Sequence, residues 1–199
     1  MAAPRTNRKI TLDRRKVVTR ILKDRGDTLL VTGLGAPTWD AAAAGDNPNN
    51  FYLWGGMGGA AVLGLGLALA QKKRRVLVIT GDGEMLMGMG ALATIAVQSP
   101  PNFAVCVIDN QRYGETGMQE THTQFGVDLA MMAVGAGFRE TDTIWTMKEL
   151  EESLPLLFET AGPVFLDVKV TDAPQPMNLP MRDGPAIKHR FRENLLGKA

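Results

Sequence analysis

Asp82 stands between two glycines in "GDGEMLMGMG", directly after the apolar run "RVLVITG" (75–81). Asn110 closes the next apolar run, "FAVCVIDN". A carboxylate and a side-chain amide oxygen are both hard ligands. A pair of them suits Mg²⁺, which takes one or two protein oxygens and completes its octahedron with phosphate oxygens and water. Gly81 and Gly83 leave room for a ligand to approach the backbone, and a helix opening near Glu84 offers free N–H groups to an anion. These residue types in this order point to a metal-bound diphosphate.

For the two oxygens to meet, the runs at 75–81 and 103–109 must be parallel strands, returned to the same edge by a helix at 84–97 and the "SPPN" turn. The rest of the chain supports such a layout. Thr11 can cap a helix through about Arg25, with Val17, Val18, Ile21 and Leu22 on one face. "TLLVTG" (28–33) and "FYLW" (51–54) read as short strands around a weak helix at "TWDAAAA". A glycine- and alanine-rich helix follows from Met57. "VFLDVKV" (164–170) is another continuous apolar run, the pattern of a parallel strand covered on both faces. Thr146 and Glu149 form a capping box for a helix to about Thr160, which Pro155 would bend. The expected fold class is α/β: a doubly wound, mostly parallel sheet of five to six strands with helices on both faces, its site at the carboxyl ends of the strands. We expect residues 1–199 to form a single domain with a core at about 10–170. The first nine residues and a tail at 172–199 would lie outside the sheet.

Composition narrows the function classes. The 199 residues are 45% hydrophobic, enough for one well-buried domain. With 22 basic and 21 acidic residues the net charge is +1, which gives no general electrostatic case for nucleic acid. Cys106 is the lone cysteine, so neither an internal disulfide nor a four-cysteine cluster can form, and a reduced cytoplasmic setting is expected. "MAAPRTNRKITLDRR" has no apolar signal core, and the most hydrophobic stretch, 57–70, falls short of the roughly 20 residues of a bilayer span. A soluble protein is expected. "VTGLGAPT" resembles a dinucleotide fingerprint, but Thr38 occupies the third glycine position and the next strand ends in Trp54-Gly55 without an acidic residue.

G-D-G, then 26 residues, then Asn resembles the signature of the thiamine diphosphate-dependent enzymes, specifically their diphosphate-binding domain. Three longer stretches, 29–70, 81–96 and 109–123, resemble the decarboxylase branch of that family that acts on sulfopyruvate and phosphonopyruvate. The likeness spans roughly residues 10–170. It implies that Asp82, Asn110 and the main-chain carbonyl of Arg112 hold Mg²⁺. Amides of Gly83 and Glu84 would meet the diphosphate, with Gly81, Gly35 and Tyr113 beside it. The Glu84 side chain, larger than the family's usual residue there, would face away or toward a partner. The Gly55 carbonyl would accept from the cofactor's 4′-amino group, and Met57 would wedge its two rings into a V. The polar loop "GETGMQETHT" would form a flexible lid carrying Glu115 and His122 as catalytic candidates. Lys188, Arg190 and Arg192 would either hold a second anionic group of the substrate or form a solvated face. His189, in the same segment, fits packing or partner binding.

The resemblance further implies decarboxylation of a 2-oxo acid to an aldehyde. A carboligase, a 2-oxo acid oxidoreductase β subunit and a cofactor-binding subunit without turnover remain open. It also implies a pyrimidine-binding α subunit that supplies the activating glutamate, in an α₂β₂ assembly, with the surface around "FYLWGGMGG" as much of the contact.

Overall fold

The structure, a computed structural model, describes residues 8–197; the first seven residues, expected to lie outside the sheet, fall outside the described residues. The chain runs α1 (Arg14–Lys23), β1 (Leu29–Thr32), α2 (Ala36–Ala43), β2 (Asn50–Tyr52), α3 (Ala60–Ala70), β3 (Val76–Gly81), α4 (Asp82–Met87), α5 (Gly90–Gln98) and β4 (Phe103–Asp109). A two-stranded hairpin of β5 (Arg112–Tyr113) and β6 (Gln119–Glu120) follows, then a 3₁₀ turn at His122–Phe125. The chain continues with α6 (Leu129–Ala136), β7 (Glu140–Ile144), α7 (Met147–Phe158), β8 (Val164–Lys169) and α8 (Gly184–Leu196).

Six strands form one sheet in the order β2-β1-β3-β4-β8-β7, every neighbouring pair parallel. Successive side chains of a strand leave opposite faces, so each strand feeds two cores. Val76, Val78, Phe103, Val105 and Phe165 pack beneath α3, α5 and α6. Leu77, Ile79, Cys106, Leu166 and Val168 pack beneath α1, α7 and α8. This is the expected doubly wound sheet with helices on both faces.

Several boundaries differ from the sequence reading, each for a local reason. Asp13, not Thr11, caps α1 by accepting from the Lys16 amide, because Leu12 is drawn into a bridge with Val170. The helix after Trp54 begins at Ala60, three residues past Met57, since Gly56 and Gly58 hold positive φ angles of 64° and 88°. The helix expected at 84–97 is two helices, broken at Gly88-Met89. The capping box of Thr146 and Glu149 forms as expected, with Pro155 inside α7. The edge strand β7 was not foreseen.

The tail turns back. Arg15 donates to the Pro176 carbonyl at 2.6 Å, Gln175 to Asp13 at 2.5 Å and Trp54 to the Met181 carbonyl at 2.8 Å. α8 then packs Ile187 and Phe191 into the two cores.

Candidate functional site

The chain leaves β1 through α2 toward one face of the sheet and leaves β3 through α4 toward the other, so a crevice opens between the carboxyl ends of neighbouring strands. A cavity of about 470 Å³ lies there. Its walls come from the loop after β1 (Leu34, Ala36, Pro37), from Met57, from 81–84, from Asn110 and Arg112 through Met118, and from Asp172 through Gln175.

Asp82 follows β3 and Asn110 follows β4, and the register of Gly81 with Ile108 puts both loops at one edge. Both residues line the cavity, together with Gly81, Gly83, Glu84, Arg112, Tyr113, Glu115 and Met57. Gly83 has a steric reason to be glycine: a Cβ there would stand 2.6 Å from the Tyr113 ring. The Asn110 side-chain oxygen accepts the Arg112 amide at 3.0 Å, and Gln111 between them has a left-handed φ of 62°. That tight turn redirects the chain into the hairpin. Gly35 lies between two lining residues, and a Cβ on it would overlap the Glu115 carboxylate, so Glu115 rests on the loop after β1. Gly55 sits on the open segment before Met57, outside the lining set.

The segment 114–123, expected to form a lid, runs through the β5–β6 hairpin into the 3₁₀ turn. Arg112 fixes the base of the hairpin, with ion pairs to Glu120 at 3.4 Å and to Asp172 at 3.5 Å. His122 is exposed and lines a neighbouring hollow of about 390 Å³ with Leu86, Met87, Met89, Tyr113, Val127 and Met132. The structure thus brings Glu115 to the cavity but not His122. Nor does it bring the tail cations there. Lys188, Arg190 and Arg192 lie on α8, and Arg190 pairs with Asp46 at 2.6 Å. Arg14 lines the cavity instead, 6% exposed, paired with the buried Asp40 that Arg15 also holds. Two guanidinium groups share one carboxylate, which leaves a net positive charge at that wall.

Beneath Asp82 and Asn110 is a polar network that sequence reasoning missed. Asp82 accepts from the Thr121 hydroxyl at 2.5 Å, and Thr123 donates to Asp109 at 2.8 Å. Lys169, opposite Asp109 in the strand register, pairs with Asp109 and, at 2.7 Å, with Asp167. Burial, then repulsion from Asp109, pushes the Asp82 carboxyl up to about 7. Three buried carboxylates thus face one ammonium, an excess of negative charge that a divalent cation at Asp82 would offset. No group of three or more His, Cys, Asp or Glu side chains among the described residues could hold a metal. A site here would have one carboxylate, neutral oxygens and a ligand's own oxygens, which is the coordination habit of Mg²⁺ with a diphosphate. The donor set fits that pair.

Comparison with known proteins agrees with this geometry. Residues 35–168 match the family model "Thiamine pyrophosphate enzyme, C-terminal TPP binding domain". Sulfopyruvate decarboxylase subunit beta of Methanothermobacter thermautotrophicus is 36% identical over 94% of this chain and 97% of its own length. Phosphonopyruvate decarboxylase of Streptomyces viridochromogenes is 33% identical over 72% of this chain but only 36% of its own length. Among solved structures, benzoylformate decarboxylase from Polynucleobacter necessarius superposes with a TM-score of 0.70 at 18% identity, over 88% of this chain and 36% of that one, a likeness of fold. No helix among the described residues is long and apolar enough to cross a membrane.

Proposed function

Since the chain belongs to the thiamine pyrophosphate enzymes, as a domain of their C-terminal cofactor-binding type, we propose that it is the β subunit of a decarboxylase. Its substrate would be a small, doubly anionic 2-oxo acid of the sulfopyruvate or phosphonopyruvate kind. The observation that carries this reading is the convergence of Asp82, Asn110 and Met57 on one cavity with Arg14 in its wall.

Asp82, Asn110 and the Arg112 carbonyl hold Mg²⁺ in this reading. Amides of Gly83 and Glu84 face the diphosphate, with Gly35, Gly81 and Tyr113 around it. The Gly55 carbonyl and the Met57 side chain hold the pyrimidine and bend the cofactor. Thiamine diphosphate, when bound, supplies the carbanion that adds to the 2-oxo carbonyl and takes up the electron pair released with carbon dioxide. This chain's part is to hold and orient, and to exclude water under the hairpin. Glu115 is placed to move a proton at the mouth of the cavity. His122 would do so only from the adjoining hollow. Arg14 offers a fixed cation to the substrate's second acidic group, in the role first assigned to the tail.

A partner subunit is part of this reading. Of the carboxylates that line the cavity, Asp82 stands at the metal position, Glu84 is held by Thr80, Asp172 pairs with Arg112, and Glu115 stands at the hairpin side by Gly35, away from the Gly55–Met57 segment in this reading. The carboxyl that activates the pyrimidine therefore comes from a second, α-type chain, in an α₂β₂ arrangement. The relative matched along nearly its whole length is itself named a subunit, whereas the phosphonopyruvate decarboxylase carries further sequence in the same chain. The surface suggested by the sequence, around Phe51–Gly59, is partly covered by the chain's own tail. Phe51 packs edge-on against Phe191, Tyr52 is 2% exposed, and Trp54 lies against Met181 and Arg182. Exposed Met87 and Met132 line the His122 hollow and add a second apolar face. The 1–199 chain is then one diphosphate-binding unit working in the cytoplasm.

The test is turnover. This chain alone, saturated with Mg²⁺ and thiamine diphosphate, should be silent toward sulfopyruvate and phosphonopyruvate, and co-expression with its partner should yield free aldehyde. Turnover by the chain alone within about tenfold of the complex, equivalent to about 1.4 kcal/mol in barrier, would refute the partner. Acyloin or acyl-CoA as product would refute decarboxylation.

A further inference from the structure

In the reading above, Glu84 contributes only a backbone amide, yet its side chain is one of the more heavily committed groups in the molecule. It is 4% exposed and turns inward from the second turn-forming position after Asp82. The Thr80 hydroxyl donates to Oε2 at 2.8 Å. Gly33 passes directly beneath, so close that a Cβ on it would overlap Oε2 and stand 2.8 Å from the Thr80 hydroxyl. Oε1 makes no hydrogen bond of regular geometry. Burial raises the pKa of this carboxyl, and the Thr80 hydroxyl and the nearby backbone amides of Ala60, Gly58 and Leu34 work against that rise.

Those three amides belong to two different parts of the cavity wall. Leu34, a lining residue, is in the loop after β1, and Gly58 and Ala60 lie within three residues of the lining residue Met57. The far end of α4 touches the same segment: a Cβ on Gly88 would overlap the Gly58 carbonyl oxygen, and one on Gly58 would stand 3.0 Å from the Gly88 amide nitrogen. The short helix α4 therefore starts at the metal position, Asp82, and ends against the ring-supporting segment, with Glu84 bracing it from within.

We propose that Glu84 is a positioning residue that locks the Asp82 loop, the Leu34 loop and the Met57 segment together, so that α4 sets the spacing between the diphosphate anchor and the ring support. The inference rests on the cofactor reading of this cavity. It gives a physical reason for a large acid directly after Gly83 and packed against Gly33. A small residue there would leave Thr80 and the three amides facing an unfilled space, and the two walls would be free to separate.

The experiment compares two ligands on the full chain by titration calorimetry: Mg²⁺ with inorganic diphosphate, which needs only the anchor, and Mg²⁺ with thiamine diphosphate, which needs anchor and ring support in register. Glu84→Ala should weaken thiamine diphosphate by about tenfold or more (about 1.4 kcal/mol) and leave inorganic diphosphate within about threefold. Glu84→Gln should recover part of the loss, since its amide oxygen still faces the backbone N–H groups and its nitrogen can donate to Thr80. Gly88→Ala, which leaves Glu84 in place and presses on Gly58, should show the same selective loss. If Glu84→Ala does not fold, the Glu84→Gln and Gly88→Ala comparison decides by the same criterion. Equal losses for the two ligands, tracking a lowered melting temperature, would overturn the positioning role, as would no loss for either. Failure of the unmutated chain to bind inorganic diphosphate with Mg²⁺ is a different result: it removes the cofactor reading, and the inference with it.

Discussion

Replacing Lys169 with methionine asks how strongly the charges beneath the site depend on one another. The Lys169 side chain is 7% exposed and meets Asp109 and Asp167, neither of which has exposed side-chain surface. Methionine keeps the apolar length of the stem, so charge is what the substitution removes. Burial works against the ammonium, but Asp167 and Asp109 override it and raise its pKa. Breaking such a pair from one side leaves uncompensated buried charge and costs about 3–5 kcal/mol. For a chain of this size each kcal/mol moves Tm by about 2–4 °C, so a drop of about 6–20 °C is expected. The drop should depend on pH. Burial, then Asp109, already pushes the Asp167 carboxyl up to about 8. That folded value lies above the unfolded one of about 3.9. The stability linked to its protonation is therefore complete below the unfolded value and is lost as pH rises through the folded one. Without Lys169 the folded value climbs further, so the variant's deficit should be larger at about pH 8.5 than at about pH 5.5. Urea and thermal denaturation of both proteins at the two pH values make the measurement. Adding Asp167→Asn to Lys169→Met should recover part of the loss, because it removes one of the stranded charges. A deficit under about 1 kcal/mol, or one that does not change with pH, would refute the reasoning.

Three further outcomes follow from the site. Asp82→Ala should abolish Mg²⁺-dependent retention of thiamine diphosphate in titration calorimetry without lowering Tm, since it removes a buried carboxylate repelled by Asp109; cofactor binding equal to the unmutated chain would sink the metal assignment. Arg14→Gln, assayed in the complex, should raise KM for sulfopyruvate by about tenfold and leave KM for pyruvate nearly unchanged, whereas parallel changes would remove Arg14 from substrate recognition. Cys106 has no exposed surface, and burial raises its pKa above the ordinary thiol range. Its reaction with an aromatic disulfide should wait for unfolding, and rapid modification of the native chain, read by absorbance, would contradict that burial.

What could be read in one sequence was whatever repeats or punctuates locally. The continuous apolar runs of β3, β4 and β8 gave the parallel sheet, and G-D-G with Asn110 gave its working edge, because strand periodicity and small polar residues at strand ends are short-range signals. β7 escaped because it is an edge strand, "ETDTI", in which only Ile144 is fully buried, so no apolar run marks it. The break between α4 and α5 escaped because its cause, the close approach of Gly88 to Gly58, lies 30 positions away in the chain. Asp167 and Lys169 did leave a trace: two charged residues two apart in an otherwise apolar strand must share one face. Their partner, Asp109, is fixed only by the register of β8 on β4. Arg14 likewise looked like a solvent-facing helix residue until the fold put Asp40 beside it. Of the tail cations, Arg190 is drawn instead to Asp46 and the Asn50 carbonyl at the start of β2.

Part of the cavity wall is made by Arg14 and by Asp172 through Gln175, segments that the Gln175–Asp13 and Arg15–Pro176 bonds tie together. This sets an order of events during synthesis. The half that carries Asp82 and Asn110, from β1, β3 and β4, can pair as soon as Asn110 has emerged, but the enclosure waits for residues 172–176, after β8 has been made and inserted between β4 and β7. A nascent chain therefore exposes an acidic, half-walled crevice for the whole time that α6, β7 and α7 are being translated. Closure of this crevice is among the last steps the polypeptide can complete.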